Sequence, residues 1–147
     1  DGGVRYLGGT NETYGNINTS DSLWVIRDLV FNQKKYTLRQ LNDAMLANFN
    51  GYEALRKDCL NCDKYGNDLE TADTMANDLY EFVAKGVRDR GIAIGMQYFL
   101  IVISNNQLNT EWGNRTAASP DGRLSCMYMN PANNPQGGAN KAAPRPC

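Results

Sequence analysis

Apolar positions recur at helical spacing through the first two thirds of the chain and then give way to a polar, turn-rich stretch. Val4 to Leu7 is a short apolar run among glycines and asparagines, and it reads as a strand leading into a Gly-rich loop. Leu23, Ile26 and Val30 fall at i, i+3 and i+7, so a helix is expected from near Asp21, capped by Ser20 or Asp21 and ending around Phe31 to Gln33. Thr37 followed by Gln40 forms a capping box, and Leu38, Leu41, Met45 and Phe49 make the stripe of a second helix, closed by Asn50 and Gly51. A short helix is expected from Tyr52 to Leu60. The polar turn Asp63 to Asn67 then sets Asp68 as the cap of the longest helix, Leu69 to Arg88, with Ala72, Met75, Leu79, Phe82 and Val83 facing inward and Gly91 ending it.

From Ile92 to Ser104 the residues turn β-branched and aromatic, which reads as a buried strand. All five prolines lie at or beyond Pro120, so long helices are expected only before it. Residues 130–147 contain no large aliphatic or aromatic side chain and cannot build a core of their own, so an irregular Pro/Asn/Gly-rich tail is set apart from a folded part at 1–129. The expected order is strand, four helices, strand, irregular tail: an α/β but mostly helical chain. Two strands so far apart make a poor sheet, so their partners are expected elsewhere, with self-association through the exposed edges.

Composition narrows the chemistry. The 147 residues suit one domain, and 41% hydrophobic with 21% charged residues is ordinary for a folded protein. Fifteen basic against sixteen acidic residues give a net charge of −1 without a block of like charge, so neither nucleic acid nor a membrane surface is an expected partner. The longest apolar run, Met96 to Ile103, is too short to span a bilayer, and no signal peptide opens the chain; a cytoplasmic location is expected.

There is no histidine, which excludes His-activated Ser or Cys nucleophiles, His bases and His metal ligands within these residues. Cys59 and Cys62 form one C-x-x-C pair, whereas Cys126 and Cys147 are single, so the spacing of a structural zinc site is not met and two ordinary thiols at a helix end are expected. Gly2-Gly3 and Gly8-Gly9 match no phosphate-binding pattern and suggest a turn or close backbone approach instead. The sequons at Asn11, Asn18 and Asn114 are what chance supplies among eighteen asparagines. Glu70, Asp73 and Asp78 read as a solvated helical face rather than an acid–base or metal set. No catalytic, cofactor-binding or metal-binding residue is assigned.

Two segments are more specific than ordinary loops. Lys64-Tyr65-Gly66-Asn67-Asp68 joins a rigid turn to an aromatic, and Ser119-Pro120-Asp121-Gly122-Arg123 is a Pro-Asp-Gly turn followed by a guanidinium. Both resemble motifs of the glycyl radical enzymes, the pyruvate formate-lyase-like family. Gly2-Gly3-Val4-Arg5-Tyr6 resembles that family's opening strand, and Asp21-Ser22-Leu23 through Val30-Phe31 one of its helices. Asn48-Phe49-Asn50-Gly51-Tyr52-Glu53 with Leu55-Arg56 follows in the same order. Then come Lys64 to Asp68 with Ala72-Asp73, and finally Ala118 to Arg123.

The resemblance implies a segment of an α/β barrel, with Tyr6 and Tyr98 as candidates for lining it and Lys64, Tyr65, Gly66, Asn67, Asp68, Pro120, Asp121, Gly122 and Arg123 shaping backbone. It also implies a parent that carries a protein-based glycyl radical, relayed to a loop cysteine. Neither motif is matched in these residues: the cysteine context is expected upstream and the radical loop downstream. Gly138 to Pro144 departs from the family's pattern, which leaves Arg145 to Cys147 outside the resemblance. The expectation is an internal segment of an anaerobic lyase or dehydratase, inactive by itself. The alternative is a free-standing helical binding or scaffold domain that self-associates; completing a damaged enzyme in trans would require the radical loop.

Overall fold

A computed structural model describes residues 3, 5–103 and 108–139, apart from the side chains of Tyr98 and 101–103. The order is β1 (Gly8–Thr13), α1 (Asn16–Val25), a π-helical continuation of α1 (Ile26–Asn32), α2 (Leu38–Leu46), α3 (Glu53–Asn61), α4 (Glu70–Ala93), β2 (Tyr98–Ile103) and α5 (Leu108–Asn114).

The two strands are each other's partners. They pair in parallel, from Gly8 with Tyr98 to Thr13 with Ile103, and the helices form the crossover between them. The first strand is therefore the polar run GGTNET and not the apolar Val4–Leu7 stretch; Tyr6 and Leu7 precede it, and Val4 lies outside the described residues. The choice is made by the partner: the Gln97 amide donates to Leu7 O at 2.6 Å and opens the ladder. A close approach is needed beside it, because a Cβ at Gly9 would lie 3.0 Å from Met96 Sδ.

Helix α1 starts five residues earlier than its apolar pattern suggests, after Gly15 in the left-handed conformation (φ 68°). Ser20 and Asp21 do not cap it but lie buried within it. Val25 and Leu29, four residues apart, point inward, and Leu23, expected on the apolar face, is 41% exposed. With Leu41, Ala44, Phe49, Leu55, Cys59 and Cys62, these two residues make one core where α1, α2 and α3 meet.

The Thr37–Gln40 capping box forms with both reciprocal hydrogen bonds. Helix α4 runs past Gly91 to Ala93 and starts after Leu69, not at an Asp68 cap. It packs on α1 through the small residues Ala72 and Ala76, while Phe82, expected inside, is 77% exposed. Gly91 does not end the helix; it is buried there because the ring of Phe99 in β2 rests on it. The strand expected from Ile92 accordingly begins only at Tyr98. Helix α5 interrupts a stretch that composition marks as irregular.

Candidate functional site

Helix α1 has a second buried face, and it is polar: Asn18, Asp21 and Ser22 lie at i, i+3 and i+4 and are at most 9% exposed. Three loop segments converge on that face. The first follows α3. There Lys64, 3% exposed, turns its ammonium back under the C-terminal end of α3 and donates to Cys59 O (2.5 Å) and Cys62 O (3.4 Å). Carbonyls at a helix C-terminus lack intrahelical donors and carry negative partial charge, which is why a buried cation is tolerated here. Burial still pulls the lysine below its ordinary pKa. The next amide, Tyr65 N–H, donates to Asp21 Oδ1 at 2.9 Å, and Gly66 turns with φ 84° against the ring of Pro135.

The second segment is the turn Ser119–Arg123. Gly122 N–H closes it on Ser119 O at 3.0 Å, with Pro120 at the position its fixed φ favours. Asp121 Oδ1 accepts from Ser119 Oγ (2.5 Å) and the Arg123 amide (3.2 Å), while its own amide donates to Ser22 Oγ (3.3 Å). The Arg123 guanidinium gathers three carbonyls from both sides of the turn, Ala117 O ahead of it and Leu124 O and Met127 O after it, and the residue is 4% exposed. Arg56 of α3 holds the same turn from outside by donating to Gly122 O at 2.9 Å.

The third segment is 130–139. Asn18 Nδ2 donates to Asp121 Oδ2 at 2.7 Å and to Gln136 Oε1 at 2.9 Å, and Asn130 bonds to the Asn18 main chain and side chain. Asn67 Nδ2 donates to Lys64 O and Ala139 O, which binds the first and third segments together. Between them lies a cavity of about 270 Å³ lined by Asp21, Arg56, Lys64, Asp121, Arg123 and Gln136, among others.

The structure thus brings the two sequence motifs into one site: Lys64 with Asn67, and Asp121 with Gly122 and Arg123, wall the same cavity or close it. Tyr6 is not part of it; it is 60% exposed ahead of β1, with the Arg5 guanidinium 5.5 Å from its ring. The Tyr98 side chain lies outside the described residues. Sequence reasoning missed Asn18, Asp21, Asn130 and Gln136. The signal available was a polar stripe at helical spacing, Asn18, Asp21 and Ser22, in a segment with few apolar residues. Of the helical carboxylates, Glu70 and Asp78 are exposed, and Asp73 accepts from Gly66 N–H at 3.4 Å.

Chemically the site is a clamp. Cys59 and Cys62 back it from the core, where burial pushes their thiols up to about 12 and about 11, far from the range of reactive thiolates. Most of the hydrogen bonds of its charged groups go to main-chain carbonyls and amides, and α1 is bound to two turns and to a strip of chain more than a hundred residues away.

The pyruvate formate lyase-like family model matches residues 1–108. The chain is 34% identical over 128 residues to the isethionate sulfite-lyase of Bilophila wadsworthia, covering 84% of this chain and 15% of that protein. It is 31% identical over 144 residues to the trans-4-hydroxy-L-proline dehydratase of Clostridioides difficile, covering 97% and 18%. Among solved structures, the B12-independent glycerol dehydratase of Clostridium butyricum superposes with a TM-score of 0.86 at 26% identity, over 96% of this chain and 18% of that one. A glycyl radical enzyme from Archaeoglobus fulgidus does so with a TM-score of 0.81 at 29% identity, over 95% and 18%. The chain therefore spans less than a fifth of the length of these relatives. With the family model covering well over half of the chain and the glycyl radical enzymes matching it in both sequence and fold, it belongs to the pyruvate formate lyase-like family.

Proposed function

We propose that this chain is a scaffold segment of a glycyl radical enzyme whose complete form cleaves carbon–carbon or carbon–heteroatom bonds by radical chemistry, and that the segment turns over nothing by itself. The observation that carries the reading is where the motif residues direct their functional groups. Lys64 and Arg123, the basic members of the two motifs, donate to main-chain carbonyls, and Asp121 accepts from a main-chain amide, a hydroxyl and an amide side chain. Groups held in this way position backbone; they are not free to move protons or bind substrate.

In the complete enzyme, β1 and β2 are adjacent parallel strands of the barrel, Tyr6 lines it just ahead of β1, and the clamp holds the helical layer against the strands. The glycyl radical and the cysteine it is relayed to belong to other parts of the parent. Sequencing the DNA on both sides of this coding region tests the reading. A continuous frame carrying a Gly-Cys-Val-Glu type motif upstream and a radical-glycine loop downstream is expected. A start codon directly before Asp1 and a stop directly after Cys147 would instead support a free-standing domain and sink the proposal.

A further inference from the structure

Asp21 is the one member of the clamp whose carboxylate is incompletely satisfied. It is 1% exposed; Oδ1 accepts the Tyr65 amide, and Oδ2 is buried with no hydrogen-bond partner among the described residues. Every element packed around it brings charge. Lys64 faces it from the turn after α3, but its ammonium is directed at Cys59 O and Cys62 O. Asp121 faces it from the 119–123 turn, and Asp73 from the first turn of α4. Arg56 and Arg123 line the same cavity: Arg56 donates to Gly122 O and Arg123 Nη1 to the carbonyls of Leu124 and Met127, while Arg123 Nε is buried without a hydrogen-bond partner among the described residues. An ionised Asp21 would therefore hold an unpartnered charged oxygen out of reach of water, beside two further carboxylates. A proton removes that cost while Oδ1 keeps the Tyr65 amide.

We propose that Asp21 is a proton switch built into the clamp: protonated in mildly acidic solution, it tightens the hold of α1 on the 64–68 and 119–123 turns, and it loosens that hold as it ionises toward neutral pH. Burial pushes this carboxyl up to about 6, against the Tyr65 hydrogen bond and the Lys64 charge, with Asp121 and Asp73 acting in the same direction as burial. The folded value lies above the ordinary 3.8, so the carboxyl's contribution to stability is complete below that ordinary value and is lost as pH rises through about 6. The switch needs only the clamp and is independent of what the parent enzyme does.

Two measurements on the 147-residue chain decide it. Carboxyl-carbon NMR of the wild-type protein should show Asp21 titrating with a midpoint near 6; a midpoint at the ordinary aspartate value of about 4 would overturn the switch. Urea unfolding should show the folding equilibrium rising about tenfold on acidification from pH 7.5 to 5, and Asp21→Asn should remove that rise while keeping the Oδ1 acceptor. A wild-type curve flat with pH, or a rise that persists in Asp21→Asn, would also overturn it. If the variant does not fold, the wild-type titration alone still separates the two outcomes.

Discussion

Asn18 and Asn130 exchange hydrogen bonds in both directions across 112 residues of chain: the Asn130 amide donates to Asn18 Oδ1 at 2.7 Å, and the Asn18 amide donates to Asn130 Oδ1 at 3.2 Å. The second bond serves as a helix cap. Asn18 is the third residue of α1, where amides lack an intrahelical acceptor, and Gly15 at the N-cap has no side chain to supply one.

Removing the Asn18 side chain takes away three hydrogen bonds and leaves the buried Asp121 Oδ2 without its amide donor. Asn18→Ala is expected to cost about 3 kcal/mol in urea unfolding, and Asn130→Ala, which loses the distant cap and a bond to Ala132 O, about 1–2 kcal/mol. Asn18→Asp keeps the acceptor for the Asn130 amide but sets a second carboxylate against Asp121. Its loss at pH 7 should match or exceed that of Asn18→Ala and should shrink on acidification. Equal stability of all four proteins would show that the network carries no weight.

Gly86 and Gly91 sit in the same helix and should respond to alanine with opposite signs. A Cβ at Gly86 meets only the mobile end of Arg90, at 3.0 Å, so the gain in helix propensity prevails and Gly86→Ala should stabilise by about 0.5–1 kcal/mol. A Cβ at Gly91 would overlap the ring of Phe99, which is fixed in β2. Gly91→Ala should therefore destabilise by about 1–3 kcal/mol despite the same propensity gain, and Phe99→Leu in the same chain should recover part of the loss. Thermal denaturation of the variants checks both signs.

What the pattern of residues made legible was local. The Thr37–Gln40 cap, the start of α2 and the whole of α3 need only neighbours in sequence and form close to where the pattern puts them, whereas α2 ends at Leu46, ahead of the expected Asn50–Gly51 close, with Asn48 and Phe49 in the left-handed conformation. The misplacements share one cause, contacts made at long range. The polar run at Gly8–Thr13 becomes a strand because β2 lies beside it, and α4 passes through Gly91 because Phe99 needs the missing Cβ. Asn18, Asp21 and Lys64 look like surface residues by type; the burial of Asn18 and Asp21 depends on loops 44 to 112 residues away that no short window of sequence contains. The family's motifs marked Lys64 and Asp121 as special, but their shared job appears only when the turns meet.

The thiols should divide by burial. Cys59 and Cys62 are buried with their thiols raised to about 12 and about 11, whereas Cys126 is exposed. At pH 8 iodoacetamide should label Cys126 readily and the buried pair slower by on the order of a hundredfold or more, since only thiolate reacts. Urea should abolish the difference. Peptide mass spectrometry over a time course checks this, and fast native labelling of Cys59 would mean that the core shared by α1, α2 and α3 is open.

Self-association is the expectation most directly tied to the sheet. A lone parallel pair is marginal, and among the described residues β1 and β2 have no partner but each other, so each presents an unpaired outer edge. Exposed apolar side chains lie on β2, just ahead of it and along α4: Leu100 is 54% exposed, Ile94 70%, Ile92 60% and Phe82 77%. Light scattering should give a mass that rises with concentration. Leu100→Lys adds charge to β2 at an exposed position without entering the core, so it should lower the association while circular dichroism stays unchanged. A wild-type chain that is a compact monomer at every concentration would mean that these edges do not pair between copies, and the apolar surface beside them would then need another explanation.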